Sequence, residues 1–328
     1  MGDVIHTLPT LNALRERFPA AYISWLVHDK LEDILNGHPA LNSVIIFKKN
    51  EPIPTMLKHL LQLIRKLRAN KYDLLLELQG DIRGGVLAWL SRTPIRLGFK
   101  AGSFRTEWLS TIFTNFKVSE GRASHIVDKN LNFARRLGAE IKEVSFGITT
   151  GEAEKKYIDA FLKKKVDNRR KIVILHPGAA WLTKRWPIEK YALLTDEIKA
   201  NFADTAVIIT YGPGERKYAE KIKVLSDSAP IVSPPTTLGE LIALIERCEV
   251  LVASDTGPLH LAAALGKKVI GLYGPTDSIR NGPYGEGNIV IKNDLPCLSC
   301  WKKSCSHISC VREITASEVA EKLCLLLT

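Results

Sequence analysis

The sequence contains no apolar run as long as 18 residues, so we expect no helix that spans a membrane. It also lacks an N-terminal segment that is first charged, then apolar and then rich in small residues, and we therefore expect no secretion signal. Cysteine is scarce, with six residues in 328, and short repeats and low-complexity tracts are missing. Few cysteines in a long chain favour a reducing compartment over a disulfide scaffold. These absences leave a globular protein of two domains, because the chain exceeds the usual single core.

The charge is unbalanced, with a formal net charge of +11 at pH 7. A basic protein is expected to bind nucleic acid, phosphorylated small molecules or an anionic membrane surface. The basic residues are spread along predicted helices and form no familiar nucleic-acid motif, which favours the latter two partners. The predicted helix Pro54–Ala69 combines an apolar stripe with Lys58, Arg65 and Arg68. Such a helix could rest on an anionic membrane, or its stripe could pack against the sheet.

Strand-like apolar segments alternate with helical patterns along most of the chain, which predicts an α/β fold with doubly wound parallel sheets. Strands are predicted at Tyr22–Val27, Ser43–Phe47, Tyr72–Leu78, Ile95–Phe99, Lys171–Leu175, Ala206–Tyr211, Glu249–Ala253 and Lys268–Tyr273. Helices are predicted at Thr7–Phe18, Pro54–Ala69, Ile82–Ser91, Ser124–Leu137, Pro187–Asn201, Glu215–Leu225, Leu238–Arg247, Pro258–Leu265 and Ala316–Leu327. A highly charged stretch at 151–170 predicts a solvated helix and the linker between domains 1–155 and 156–328. The sequence opens at a loop-to-helix junction, so the first domain is expected either to lack a central strand or to continue upstream.

The segment 254–260 (SDTGPLH) is the most informative of the chain. It joins an apolar strand to a helix that Gly266 ends, and free N–H groups at the start of such a helix favour a phosphate. Asp255, at the tip of the strand, can accept hydrogen bonds from sugar hydroxyls, and His260 lies one turn into the helix. A nucleotide sugar would suit this site.

Two further loops also point to an anionic ligand. Lys184 and Arg185 stand just before a helix that Pro187 opens, where cations are unfavourable unless an anion joins them. A pyrophosphate would be such an anion, although a basic solvated loop is the alternative. Glu215, in a glycine-rich turn, could equally cap its helix or hold ribose hydroxyls, and Thr276 could add to a phosphate site or belong to a plain turn.

Asp3 has two interpretations. It could simply complement the dipole of the helix that follows, and spacing alone favours this interpretation. It could also act as a general base, because carboxylates are ionised at neutral pH and can accept a proton from an attacking hydroxyl.

Four cysteines near the end follow a C-x2-C-x4-C-x4-C spacing, with His307 between them. One C-x2-C pair is typical of a zinc site, but the second half lacks the paired spacing. We therefore predict free thiols or redox-labile pairs, rather than a structural zinc ion, at Cys297, Cys300, Cys305 and Cys310.

Taken together, the segments 2–9 (GDVIHTLP), 183–187 (TKRWP), 254–260 (SDTGPLH) and 272–277 (LYGPTD) resemble glycosyltransferase family 9, the ADP-heptose:lipopolysaccharide heptosyltransferases of Gram-negative bacteria. The resemblance covers essentially the whole chain and, through 181–186 and 281–285, is greater to heptosyltransferase I than to II. It implies GT-B architecture, in which two Rossmann-like domains face a cleft, and inverting transfer without a catalytic metal. The sequence contains no Asp-x-Asp motif, which agrees with transfer that needs no catalytic metal. The family also has a strand before the Gly-Asp pair, which is absent here.

The resemblance also implies roles for particular residues. The N-terminal domain would bind the acceptor and carry the catalytic base, Asp3. The C-terminal domain would bind ADP-heptose, with Lys184 on the phosphates and Asp255 on the heptose. The other predicted donor-site residues are Thr183, Arg185, Glu215, Thr256, Gly257 and His260.

The expected reaction moves L-glycero-D-manno-heptose from ADP-heptose to Kdo on lipid A, or to the first heptose of the lipopolysaccharide core. No cofactor is expected beyond this donor substrate. The enzyme would be cytoplasmic and peripheral on the inner face of the inner membrane, with no nucleic-acid partner. The alternatives are a family member that uses another nucleotide sugar and a nucleotide-binding protein without turnover.

Overall fold

The computed structural model describes residues 1–48, 52–103, 106–166 and 171–327, and the chain divides into two compact units between Thr149 and Thr150. The first unit contains α1 (Gly2–Arg17), β1 (Ser24–His28), the 3-10 helix η1 (Asp29–Ile34), β2 (Ser43–Phe47), α2 (Ile53–Ala69), β3 (Leu74–Glu77), α3 (Ile82–Leu90), β4 (Ile95–Phe99), η2 (Trp108–Ile112), β5 (Phe116–Val118) and α4 (Ile126–Arg136). The second contains α5 (Glu152–Lys165), β6 (Lys171–His176), η3 (Leu182–Lys184), α6 (Ile188–Asn201), β7 (Thr205–Ile209), α7 (Arg216–Leu225), β8 (Ile231–Val232), α8 (Leu238–Ile245), β9 (Val250–Ser254), α9 (Gly257–Ala264), β10 (Lys268–Leu272), α10 (Ser278–Asn281), β11 (Ile289–Ile291), α11 (Ser309–Arg312) and α12 (Ala316–Leu327).

The second unit is a six-stranded parallel sheet in the order β11-β10-β9-β6-β7-β8. Counted along the chain this is the order 3-2-1-4-5-6 of a doubly wound fold, and the order reverses between β6 and β9. Both strands are buried along almost their whole length, as expected where helices cover both faces of a parallel sheet. Helix α5 packs on α8 and so belongs to this unit. The predicted domain boundary at 155/156 lies within α5.

The strands of the first unit form two separate parallel sheets, β1-β2 and β3-β4-β5. In the described part of the chain, no strand pairs with both of them. Helix α1 begins at Gly2 and not at the predicted Thr7, and Pro9 lies inside it. An internal proline costs about 3 kcal/mol, but Ile5 and Leu8 in the turn before it are fully buried, so packing outweighs the penalty.

The two halves of helix α2 differ in burial, and only packing against the sheet is seen directly. Leu63 and Leu67 of the C-terminal half are buried and pack with Ile45 of β2. The N-terminal half instead exposes the large apolar side chains of Ile53, Met56, Leu57 and Leu61. None of the helices in the described ranges is both long enough and apolar enough to cross a bilayer.

Glu77, at the end of β3, is a buried carboxylate that the sequence analysis did not single out. Its Oε1 accepts hydrogen bonds from the N–H groups of Gln79 and Gly80, both at 3.0 Å. Gly84 makes room for it, because a Cβ at that position would lie 2.4 Å from Oε1. Burial raises the pKa of Glu77 to about 7, although the hydrogen bonds from these N–H groups lower it. The folded protein therefore favours the protonated carboxyl group.

This shift predicts a pH-dependent stability. A carboxyl group whose pKa is raised in the fold stabilises it fully below the unfolded value of 4.5, and this contribution is lost as pH rises through about 7. The loss amounts to roughly 3 kcal/mol, because each unit of pKa corresponds to about 1.4 kcal/mol. Glu77→Gln keeps the acceptor oxygen and should abolish this part of the pH dependence in urea unfolding. Glu143→Gln, at an exposed position of the same unit, is the control; a Glu77→Gln protein with the wild-type pH dependence would contradict the assignment.

Candidate functional site

The loops after β6 and β9 meet where the strand order of the second unit reverses. The two strands are neighbours, with His176 opposite Ala253 at their carboxyl ends. Lys184, which ends η3 after β6, reaches Asp255, which directly follows β9. The Lys184 Nζ lies 2.6 Å from Asp255 Oδ2 and 3.2 Å from the Asp255 carbonyl oxygen. In doubly wound folds this point of reversal is where ligands bind.

Asp255 is held between two partners. Its Oδ1 lies 2.9 Å from Nε2 of His260, and its side chain is only 6% exposed. Burial alone would raise the pKa of Asp255, but His260 and Lys184 outweigh it and hold the pKa well below its ordinary value. The site therefore contains a fixed carboxylate with lone pairs left for other donors.

Helix α9 starts beside this carboxylate. Thr256 is its N-cap residue, yet the side chain makes no capping hydrogen bond. The buried Thr256 Oγ1 has no hydrogen-bond partner within the part of the chain that the structure describes. Buried hydroxyls normally have a partner, and the N-terminal end of a helix attracts anions. An anionic ligand would accept a hydrogen bond from the Thr256 hydroxyl and interact favourably with the N-terminal end of α9.

Arg185 points to a second carboxylate. Its Nη2 lies 3.3 Å from Glu215 Oε1, and its Nη1 donates to the Tyr218 hydroxyl at 2.7 Å. Glu215 is the N-cap residue of α7, but its side chain makes no capping hydrogen bond; its Oε2 accepts the N–H of Gly212 at 3.2 Å. A Cβ at Gly178 would lie 2.0 Å from the same oxygen, so a larger residue there would displace the Glu215 carboxylate from this position.

The two cations before α6 are thus neutralised by protein carboxylates in the structure, Lys184 by Asp255 and Arg185 by Glu215. The anions that join these two cations in the structure are protein carboxylates, and the binding of a pyrophosphate there stays a prediction. Sequence spacing could not show these two pairings, because both carboxylates come from distant segments of the chain.

The remaining predicted residues are placed differently. Thr183 is buried and its hydroxyl donates to the carbonyl oxygen of Lys302 at 2.9 Å, which fixes the loop before Lys184. Gly257 is the first residue of α9. Asp3 belongs to the first unit, where it is exposed in the first turn of α1. Thr276 is buried beyond β10, and its Oγ1 has no hydrogen-bond partner among the described residues.

Aromatic side chains around Lys184 were missed by the sequence analysis. The Lys184 Nζ lies 4.5 Å from the ring centroid of Trp181, whose ring is 6.4 Å from that of Trp301. The guanidinium carbon of Arg280 lies 5.9 Å from the Trp301 ring. Trp181 stands three residues before Lys184 and could have been noticed, whereas the tertiary fold alone brings Trp301 and Arg280 to this place.

The cysteine-rich segment runs along the end of β10. The N–H of Ser299 donates to the Gly274 carbonyl oxygen at 3.1 Å, and that of Trp301 to the Pro275 carbonyl oxygen at 2.7 Å. All six cysteines are free of disulfide bonds. In the described ranges, no three or more His, Cys, Asp or Glu side chains are arranged to hold a metal ion. The segment thus supports the loop that carries Thr276 and positions Trp301.

Comparison with known proteins identifies the family. The model of glycosyltransferase family 9 (heptosyltransferase) matches residues 60–310. The lipopolysaccharide core heptosyltransferase OpsX of Haemophilus influenzae is 27% identical over 294 residues, 89% of this chain and 81% of the relative. Lipopolysaccharide heptosyltransferase 1 of Pseudomonas aeruginosa is 28% identical over 322 residues, 94% of this chain and 85% of the relative.

Solved structures agree on the fold. A family 9 glycosyl transferase from Veillonella parvula superposes with a TM-score of 0.87 at 24% identity, covering 100% of this chain and 94% of the other. The Escherichia coli heptosyltransferase WaaC, solved with ADP-2-deoxy-2-fluoro heptose, has a TM-score of 0.76 at 23% identity and covers 98% and 96%.

The chain belongs to glycosyltransferase family 9. It is a glycosyltransferase, and both the predicted family and the predicted GT-B fold class are confirmed.

Proposed function

We propose that this glycosyltransferase moves L-glycero-D-manno-heptose from ADP-heptose to the inner core of lipopolysaccharide, on Kdo or on the first heptose. The observation that carries the proposal is the group of Lys184, Asp255 and His260 at the start of α9, beside the Thr256 hydroxyl, which has no hydrogen-bond partner among the described residues. It offers a cation and a helix N-terminus to a diphosphate, and a carboxylate to sugar hydroxyls. The names of the relatives and the donor analogue bound to WaaC support heptose as the sugar.

The diphosphate is proposed to lie between Lys184 and the first turn of α9. A lysine ammonium has three N–H donors, and Asp255 takes two of those of Lys184, through Oδ2 and its carbonyl oxygen. The third is proposed to donate to a phosphate oxygen. Together with the Thr256 hydroxyl and the helix dipole, it would stabilise the charge that develops on the departing ADP.

In the proposed mechanism the stereochemistry inverts in a single displacement. The acceptor hydroxyl oxygen attacks the anomeric carbon from the face opposite ADP, the bond from that carbon to the diphosphate oxygen breaks, and Asp3 takes the hydroxyl proton. The electron pair of the broken bond leaves with ADP. In this scheme the departing diphosphate is stabilised without a metal ion, through hydrogen bonds from Lys184 and Thr256 and through the dipole of α9.

Two parts of the proposal concern the setting of the reaction. The acceptor is an anionic lipid, so we propose a cytoplasmic enzyme that binds the membrane surface peripherally; the net charge of +11 supports an anionic surface. Glu215, fixed by Arg185 at the carboxyl ends of β6 and β7, is proposed to hold the ribose hydroxyls of ADP.

The decisive experiment is an acceptor-dependent transfer assay. The purified chain, incubated with ADP-heptose and either Kdo-lipid A or a short soluble Kdo acceptor, should release ADP. The glycosidic bond of the product should have the anomeric configuration opposite to that of the donor. Release should persist after treatment with EDTA. ADP-glucose serves as the control donor. Donor binding without release, on either acceptor, would favour a nucleotide-binding protein, and faster turnover of another nucleotide sugar would reassign the substrate.

A further inference from the structure

The first unit carries exposed aromatic and aliphatic side chains that take no part in the site described above. Trp108 and Ile112 of η2 are 67% and 65% exposed, and Trp89 of α3 is 56% exposed. Ile82 and Leu109, on the same two helices, are also exposed. Large apolar side chains seldom stay in water as a contiguous patch unless the patch binds something.

These side chains lie on two neighbouring elements, because η2 packs alongside α3. At one end, the N–H of Ile82 donates to Glu107 Oε2 at 2.8 Å, which ties the start of α3 to the start of η2. At the other end, the ring of Trp89 lies 6.3 Å from that of Phe113, directly after η2. Between them, a Cβ at Gly85 would lie 3.0 Å from the Ser110 carbonyl oxygen, so the two backbones are in close contact.

We name this the aromatic surface and define it by Ile82, Trp89, Trp108, Leu109 and Ile112. The stretch of sequence that carries it is rich in basic residues. Residues 53–117 contain eleven Lys and Arg against four Asp and Glu, and one of those four is the buried Glu77.

Basic side chains also flank the aromatic surface directly. The Arg83 side chain follows Ile82 and is 76% exposed, although it pairs with Asp81 at 2.8 Å, and the exposed Arg92 comes three residues after Trp89. Nε of Arg68 donates to the Leu90 carbonyl oxygen at 2.8 Å, which brings the basic end of α2 to the end of α3.

We propose that the aromatic surface docks on an anionic lipid bilayer. Indole rings favour the boundary between headgroups and acyl chains, and arginines beside them attract anionic headgroups. The same charge argues against a second copy of the chain as the occupant, since two basic faces would repel each other. The inference rests on the proposed membrane association and gives it a location, separate from the exposed half of α2.

The test is binding to vesicles by co-sedimentation. Vesicles of phosphatidylcholine mixed with phosphatidylglycerol should bind the wild-type chain, vesicles of phosphatidylcholine alone should bind weakly, and raised salt should weaken the binding. The Trp108→Ser/Ile112→Ser variant should lose at least about tenfold in affinity, because the apolar area of two side chains no longer enters the lipid. Val224→Ser/Leu325→Ser is the matched control, with side chains 82% and 65% exposed in the second unit.

Three results would overturn the proposal. The first is wild-type affinity in the Trp108→Ser/Ile112→Ser variant, with circular dichroism showing it folded. The second is a loss of binding confined to charge reversal at Lys58, Arg65 and Arg68, which would assign the contact to α2. The third is a dimer in solution that the variant dissolves, which would make a second copy the occupant.

The vesicle test is independent of the transferred sugar. The Trp108→Ser/Ile112→Ser variant should turn over a short soluble acceptor at the wild-type rate and lose rate only on acceptor embedded in vesicles. Failure of the wild-type chain to transfer heptose at all would refute the proposed function and leave the vesicle result intact.

Discussion

Asp3→Ala is expected to lower the rate of transfer by about 10²–10⁴, the usual effect of removing a general base, and to leave ADP binding almost unchanged. The reason is that the base acts on the acceptor hydroxyl, whereas the proposed contacts to the nucleotide all come from the second unit. The exposed carboxylate in the first turn of α1 is accessible to a substrate. Steady-state rates and calorimetric titration with ADP measure the two quantities separately.

The alternative role of Asp3 is to complement the dipole of α1, which is worth only about 0.3–1 kcal/mol of stability. Asp3→Asn keeps the size of the side chain and removes its charge and basicity, so it should be nearly as slow as Asp3→Ala. Asp128→Asn is the matched control, because Asp128 occupies the first turn of α4 in the same unit. Near-normal turnover by Asp3→Asn would exclude Asp3 as the base. Its role would then be to complement the dipole of α1.

Lys184→Ala is expected to weaken donor binding and slow transfer by about 10- to 150-fold, since a charge-assisted hydrogen bond to phosphate contributes roughly 1.5–3 kcal/mol. The loss should appear with both ADP and the intact donor, because the contact is to the diphosphate. Calorimetry with ADP and the ratio kcat/KM measure it.

Lys184→Ala also removes a partner from the buried Asp255, so its fold must be checked by thermal unfolding. Lys184→Arg keeps the charge and should recover part of the affinity. Lys221→Ala, which breaks an exposed ion pair with Glu189 on the surface of the same unit, should change neither affinity nor rate. Wild-type affinity for ADP in folded Lys184→Ala would make Lys184 a structural partner of Asp255 only.

The alternation of strands and helices was readable from sequence because buried parallel strands are apolar throughout and their helices carry a regular stripe. Every predicted strand has a counterpart, whereas the short strands β5, β8 and β11 were missed. Three or fewer residues at the edge of a sheet leave too little periodicity to detect. The start of α1 was missed for a different reason, since local propensity at Pro9 opposes what burial of Ile5 and Leu8 imposes.

The site was only partly readable. Asp255, Thr256 and Gly257 follow one another at a strand-to-helix junction, so a local motif suffices to find them. The pairing of Lys184 with Asp255 spans 71 residues of sequence and depends on β6 lying next to β9. The position of Glu215 depends likewise on the β6 and β7 loops meeting, with glycine at 178 to admit it. Long-range pairings of this kind carry no local signal.

The pairing of Lys184 with Asp255 has a consequence for product release. A ligand that binds Lys184 does not meet a bare cation, because Asp255 already offsets part of the ammonium charge. Coulomb attraction for a diphosphate is correspondingly smaller, while the ammonium is already oriented and loses little side-chain entropy on binding. Under the proposed function, such a site would hold a nucleotide diphosphate in a defined pose without binding it tightly. Under the proposed function, spent nucleotide would therefore leave quickly enough for the next donor to enter.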